Sequence, residues 1–208
     1  MQPIRLVPTR RDEVRSPEAA REAIRVLGMM DAMGLMPLGE PTTYLQLSSL
    51  REAADVAARA GIGRGAAALL AGDRPTSRRV LLGLRQLAQA LEDSPLPPQE
   101  ARELGRVLGW DLLGALVGSS SVSLRRYAAT VREAPDDVAG RLHLLAAIVG
   151  DLKGAYNDAG IRRWFERPRA QLGGQAPGQL LSGEWSPDQP DAARVRNLAR
   201  ALSGTGAA

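Results

Sequence analysis

The chain has 208 residues, no cysteine, one histidine and a net charge of +4 from 27 basic against 23 acidic groups. These counts exclude disulfides, thiolate metal sites, cysteine nucleophiles and an intramolecular histidine-rich metal site. Aromatic residues make up 3%, and β-branched runs are nearly absent, which predicts an all-α protein with a core of Leu, Val, Ala and Ile.

Residues 1–15 read as a flexible arm. Ser16-Pro17-Glu18 is a helix start, with Ser as N-cap and Pro in the first turn. Ala20, Ala23, Ile24, Leu27 and Met30 then keep helical spacing to about Met33. Gly34–Thr43, with two prolines and two glycines, reads as a loop. Ser48 or Ser49 is the expected cap of a second helix, running to about Ala60 and broken by Gly61 and Gly63. A short apolar helix, Gly65–Ala71, leads into a turn at Gly72–Pro75. The next helix, about Ser77–Glu92, places Val80, Leu81, Leu84, Leu87, Ala88 and Leu91 on one face. Asp93–Pro98 holds three prolines and is the strongest boundary in the chain. It predicts an N-terminal helical domain over 16–95, a helix-turn-helix domain over 96–135 and a C-terminal helical domain over 136–208.

Beyond that boundary the pattern predicts helices at Pro98–Leu108, Asp111–Val117 and about Ser120–Val131, the last stopped by Ala134-Pro135. Asp136 or Asp137 is the expected cap of a long helix to about Asn157, with Val138, Leu142, Leu145, Ile148, Val149 and Leu152 inward. Asp191–Leu202 is the last helix, with Val195, Leu198 and Leu202 inward, and the tail from Ser203 reads as fraying. Met29, Met30, Met33 and Met36 are adaptable side chains, and packing on a helix is their ordinary explanation.

Asp111–Tyr127, D-L-L-G-A-L-V-G-S-S-S-V-S-L-R-R-Y, has the residues a helix-turn-helix needs. Gly114 is the small residue where the helices cross, and Gly118 is the turn. Leu113, Val117, Leu124 and Tyr127 sit at core offsets. The second helix then presents Ser120, Ser121, Ser123, Arg125 and Arg126. Hydroxyls at a helix N-terminus favour phosphate, and arginine reaches phosphate or a guanine edge. The segment resembles the Xre-type helix-turn-helix, with Ser119 where an apolar residue is usual.

The punctuation of Ile161–Leu181 is denser. Trp164 is placed to anchor a helix end in the core, and Pro168 prevents that helix from continuing. Gly173-Gly174 permits a turn that a Cβ would obstruct, and Pro177 fits the first turn of the next helix. The spacing W-x-x-x-P-x-x-x-L-G-G-x-x-P-x-x-L-L resembles the C-terminal toxin-binding domain of the Xre/MbcA/ParS-like antitoxins. Trp164, Pro168, Leu172, Gly173, Gly174, Pro177, Leu180 and Leu181 match position by position. Phe165 stands for the usual Leu and Arg169 for the common Asn. The helix-turn-helix precedes this segment, as in the family, so the resemblance covers about residues 98–204. It implies a homodimer that binds operator DNA, represses its own operon and neutralises a RES-domain toxin that degrades NAD. It also implies partner contacts at Trp164, Arg167, Leu172, Gly173, Gly174 and Pro177. Residues 1–95 lie outside the resemblance.

Basic residues are spread evenly: residues 1–97 carry 13 basic and 11 acidic groups, and residues 98–208 carry 14 and 12. Contact with DNA must therefore come from a local cluster. No apolar run is long enough to span a membrane, the N-terminus lacks a signal-peptide core, and a cytoplasmic protein is expected. Catalysis is not expected, and neither is a cofactor or a metal. His143, between Leu142 and Leu144, reads as a helix-surface or packing residue with no partner apparent. Asp136-Asp137 reads as a cap, and no phosphate-binding or nucleophile-elbow pattern is present. The alternative to a DNA-binding regulator is a helical adaptor that binds another protein, with its second helix covered by residues 1–95 or by a subunit interface.

Overall fold

The computed structural model describes residues 14, 16–36, 46–71 and 75–203. Among them are eleven α-helices and no strand: α1 (Pro17–Ala32), α2 (Leu47–Arg59), α3 (Arg64–Leu70), α4 (Ser77–Glu92), α5 (Pro97–Leu108), α6 (Trp110–Val117), α7 (Ser121–Ala128), α8 (Asp136–Lys153), α9 (Asp158–Glu166), α10 (Pro177–Leu180) and α11 (Pro190–Ser203). The protein is all-α, as its composition predicts. The arm expected at 1–15, most of the 34–43 loop, most of the 72–75 turn and the tail beyond Ser203 lie outside the described residues.

Local chemistry sets most boundaries. The Ser16 side chain accepts from the Ala19 amide and caps α1, and Thr76 does the same for α4 through the Arg79 amide. Elsewhere the expected caps are displaced. Helix α2 begins at Leu47, so Ser48 and Ser49 lie inside it and Gln46 is the cap residue. Pro135 precedes α8, and Asp136 and Asp137 fill its first turn, where their charge suits the helix dipole. Helix α8 stops at Lys153, short of Asn157, because the Asn157 side chain instead caps α9 through the Gly160 amide at 2.8 Å. Helix α7 ends at Ala128, short of Val131; Thr130 turns to φ 55°, and Arg102 donates to the Ala128 carbonyl at 2.8 Å.

Helix α1 packs on both α4 and α8, and α11 lies along α8. Helix α3 bridges α2 and α4, while α5 contacts α6, α7, α8 and α9. The Asp93–Pro98 boundary is a turn between α4 and α5, and packing crosses it. One apolar cluster runs from Ala19, Met29 and Leu84 through Leu104 and Leu142 to Trp164 and Val195. Met29, Met30 and Met33 are buried in that core.

Two glycines allow the α1–α8 contact. A Cβ on Gly28 would stand 2.4 Å from the Gly150 carbonyl oxygen, and one on Gly150 would stand 2.7 Å from the Met29 Cα. Backbones this close admit no side chain. Beside the crossing, the Asp151 carboxylate is 0% exposed and accepts from Arg25 Nε at 3.3 Å and Arg196 Nε at 2.9 Å. Arg25 also pairs with Glu22 and Glu92, and Arg196 Nη2 reaches Glu92 at 3.0 Å. Burial pushes the Asp151 pKa up, against the pull of Arg196 and Arg25.

His143 extends this polar seam. Its Nδ1 lies 2.7 Å from Glu100 Oε1, and its Nε2 lies 2.8 Å from the Glu92 carbonyl oxygen. The carbonyl accepts only, so a neutral ring beside an ionised Glu100 lacks a proton for one of the two bonds; a charged imidazolium donates both. Burial pulls the His143 pKa down, but the hydrogen bond and charge of Glu100 outweigh it and the net shift is upward. A folded pKa above the unfolded value stabilises the protein below about pH 6.5, and that stability is lost as pH rises through the folded pKa. Between about pH 6 and about pH 8 the wild type should therefore lose stability relative to His143→Gln, read by urea unfolding at each pH. Parallel pH profiles for the two proteins would show that the pair carries no proton linkage.

Candidate nucleic-acid interface and C-terminal loop

Helices α6 and α7 are joined by a turn built on two glycines. Gly118 ends α6 in the left-handed conformation, φ 72°, and both its amide and that of Ser119 return to the Gly114 carbonyl at 2.9 and 3.1 Å. A Cβ on Gly114 would stand 2.8 Å from the Ser119 carbonyl oxygen, so the turn folds directly over this glycine. Ser119 is half-buried and contributes its backbone to the closure. Leu113, Val117, Leu124 and Tyr127 are all buried, as their offsets predict.

Ser120 is the cap of α7. Its Oγ accepts from the Ser123 amide at 3.1 Å and lies 3.0 Å from Ser123 Oγ. Ser120, Arg125 and Arg126 are exposed, while Ser121 and Ser123 are half-buried. Val122, 59% exposed, stands between the serines. Helix α7 rests on α5 and α6, and its outer face stays open beside residues 16–36, 46–71 and 75–95. Arg126 makes no ion pair among the described residues, and Arg125 lies over the Trp110 ring, 5.2 Å from its centroid.

The C-terminal segment closes as a compact loop. Arg169 and Gln175 meet through an amide-to-carbonyl bond of 3.0 Å, and the Gly174 amide returns to the Arg169 carbonyl at 2.9 Å. Between them lies a 3-10 turn, Ala170–Leu172, followed by Gly173 and Gly174 at φ 70° and 83°. Pro177 begins α10, and the Gln179 side chain accepts from the Ala176 amide at 2.8 Å. A Cβ on Gly178 would stand 2.9 Å from the Phe165 carbonyl oxygen, so α10 sits tightly on the end of α9.

The six expected partner contacts divide in two. Trp164, 1% exposed, meets Phe165 edge to face with centroids 5.2 Å apart; Leu172 and Pro177 are also buried. These three build the loop from within. Arg167, Gly173 and Gly174 are exposed and form its outer surface with Pro168 and Gln171. Arg169 lies over the Trp164 ring at 5.6 Å.

Sequence reasoning missed the residues that tie this region to the turn. Arg141 on α8 donates to the Val117 carbonyl at 2.9 Å and to the Trp185 carbonyl at 2.7 Å. Trp185, buried, donates its Nε1–H to the Leu116 carbonyl at 2.7 Å. The last carbonyls of α6 are thus satisfied by side chains far along the chain, with no local signal for either. Trp110 was likewise unmarked. Among the described residues no group of His, Asp and Glu is placed to hold a metal, and no helix is long and apolar enough to cross a membrane. Compared with family models, curated proteins and solved structures, the chain matches none.

Gly114→Ala should destabilise the protein by about 1–3 kcal/mol, because its neighbour is backbone and cannot step aside cheaply. Urea unfolding checks this, and a midpoint equal to wild type would mean the turn does not depend on the close approach.

Proposed function

We propose that the protein is a DNA-binding transcriptional regulator of the antitoxin type. The observation that carries the reading is the α6–α7 turn. Gly114 and Gly118 fold α7 across α6 so that Ser120, Arg125 and Arg126 are exposed, with Ser121 and Ser123 half-buried beside them. That arrangement suits a helix that enters a major groove, with cap and hydroxyls near phosphate and arginines toward phosphate or base edges. An adaptor that used α7 internally would cover this face, and no described part of residues 1–95 does so.

Operator DNA is then the first partner, bound by a homodimer whose two α7 helices read two half-sites. The second partner is a RES-domain toxin, received on the outer surface of the loop at Arg167, Gly173 and Gly174. Trp164, Leu172 and Pro177 act there by holding the loop's shape.

In a gel shift with the region upstream of its own gene, Arg125→Ala/Arg126→Ala should weaken binding by about tenfold or more at low salt. Affinity of the wild type should fall steeply as salt rises. Equal binding by the double variant and wild type would sink the DNA reading.

The toxin reading has a separate measurement. Co-expression with a RES-domain protein encoded beside it should restore growth, and Arg167→Glu should abolish the rescue while leaving DNA binding intact. Rescue undiminished by that variant, or a neighbourhood without such a gene, removes the toxin and leaves the regulator.

A further inference from the structure

We infer that Trp110 is a positioning residue for Arg125, holding its guanidinium as a fixed fork for an oxygen-rich acceptor on duplex DNA. The inference rests on the DNA-binding reading of α7 and names how one residue of that face works.

A slot on α5 receives the indole. A Cβ on Gly105 would stand 2.6, 2.7 and 2.8 Å from three consecutive atoms of the Trp110 six-membered ring. Approach from the ring edge would bring one atom near and leave its neighbours well behind. Three nearly equal distances mean that a ring face lies on the helix backbone at Gly105. Any larger residue there would push the ring away. Trp110 begins α6, directly after Gly109 at φ 80°, a conformation that glycine adopts readily. The indole is therefore held by its own backbone and by α5, and it remains half-buried, with part of its surface open.

Arg125 uses that surface. Its guanidinium carbon lies over the ring, 5.2 Å from the centroid, within cation–π range. The contact consumes none of its N–H groups: the Arg125 side chain makes no hydrogen bond and no ion pair among the described residues. Its neighbour Arg126 is exposed, with no ring beneath it among the described residues. The two arginines thus differ in kind. Arg126 carries its charge in solvent, whereas the contact with Trp110 restricts the Arg125 side chain before binding and leaves its planar donors available to two adjacent acceptors. Phosphate oxygens and the O6/N7 edge of guanine both offer that pattern.

The test is fluorescence anisotropy at low salt with two labelled duplexes of equal length, the region upstream of the protein's own gene and a random sequence. Trp110→Leu keeps apolar bulk and removes the aromatic face, and should weaken binding about three- to tenfold. Trp110→Tyr should restore most of it. Arg125→Lys, at an exposed site where folding is not at risk, keeps the charge and should lose a similar factor. The slope of affinity against salt should stay at the wild-type value in all three, because no phosphate charge contact is removed, whereas Arg126→Ala should lower it by about 0.9. Loss on both duplexes assigns the fork to phosphate, and loss on the upstream duplex alone assigns it to guanine. Wild-type affinity in both Trp110→Leu and Arg125→Lys, with binding lost in Arg125→Ala/Arg126→Ala, overturns the positioning role and leaves the DNA reading standing. Wild-type affinity in the double variant as well, or no binding by the wild type, removes both.

Discussion

The carboxylate of Asp151 has no contact with solvent and accepts from one guanidinium on α1 and another on α11. An isolated charge so placed would be costly, and removing one partner of a buried pair typically costs about 3–5 kcal/mol. The arrangement is tolerable only when all three helices are present together. Gly28 and Gly150 supply the steric half of the same constraint by letting α1 and α8 close to backbone contact. Glu92 joins the cluster from the end of α4 through Arg25 and Arg196, and its carbonyl accepts from His143. The N-terminal helices are therefore built into the protein through the helix that follows the turn unit, and are not an appendage to it.

From that seam the chain carries two separate surfaces on one packed body. One is the open side of α7; the other is the outer rim of the Arg169–Gln175 loop. Arg141 ties the end of α6 to the C-terminal segment. It leaves α8, holds the end of α6 at Val117 and grips the backbone at Trp185. Trp185 in turn donates to Leu116. The C-terminal segment thus completes the hydrogen bonding of the helix that precedes the turn.

Much of this was legible in the residues, for reasons that are local. Ser16-Pro17 and the apolar stripe of α4 act within a few residues, and the structure follows them closely. Gly118, Gly173 and Gly174 mark turns because glycine meets their positive φ without strain, and Gly114 marks the crossing because the Ser119 carbonyl leaves no room for a Cβ. The misplaced features have local causes as well. Asn157 competes with the end of α8 by capping α9, so an uninterrupted apolar stripe overstated the helix. Ser48 and Ser49 looked like caps, but a serine also sits readily in a helix's first turn.

Long-range polar pairing was not legible. Nothing within four residues of Asp151, His143 or Arg141 distinguishes them from the other charged groups of a helical protein. Their partners lie 126, 43 and 44 residues away for Arg25, Glu100 and Trp185. The proline-rich turn at Asp93–Pro98 suggested a division because composition reports chain stiffness and not what packs across it. By itself, then, the sequence determined helices, turns and the residues facing inward, since periodicity, capping and glycine conformation act over one or two turns of chain. Only the tertiary structure decided that both halves share a core, that Leu172 and Pro177 lie inside the loop they shape, and that Arg125 stands on Trp110. Those outcomes depend on which buried charges and glycine surfaces meet, and such meetings are settled by packing between distant segments.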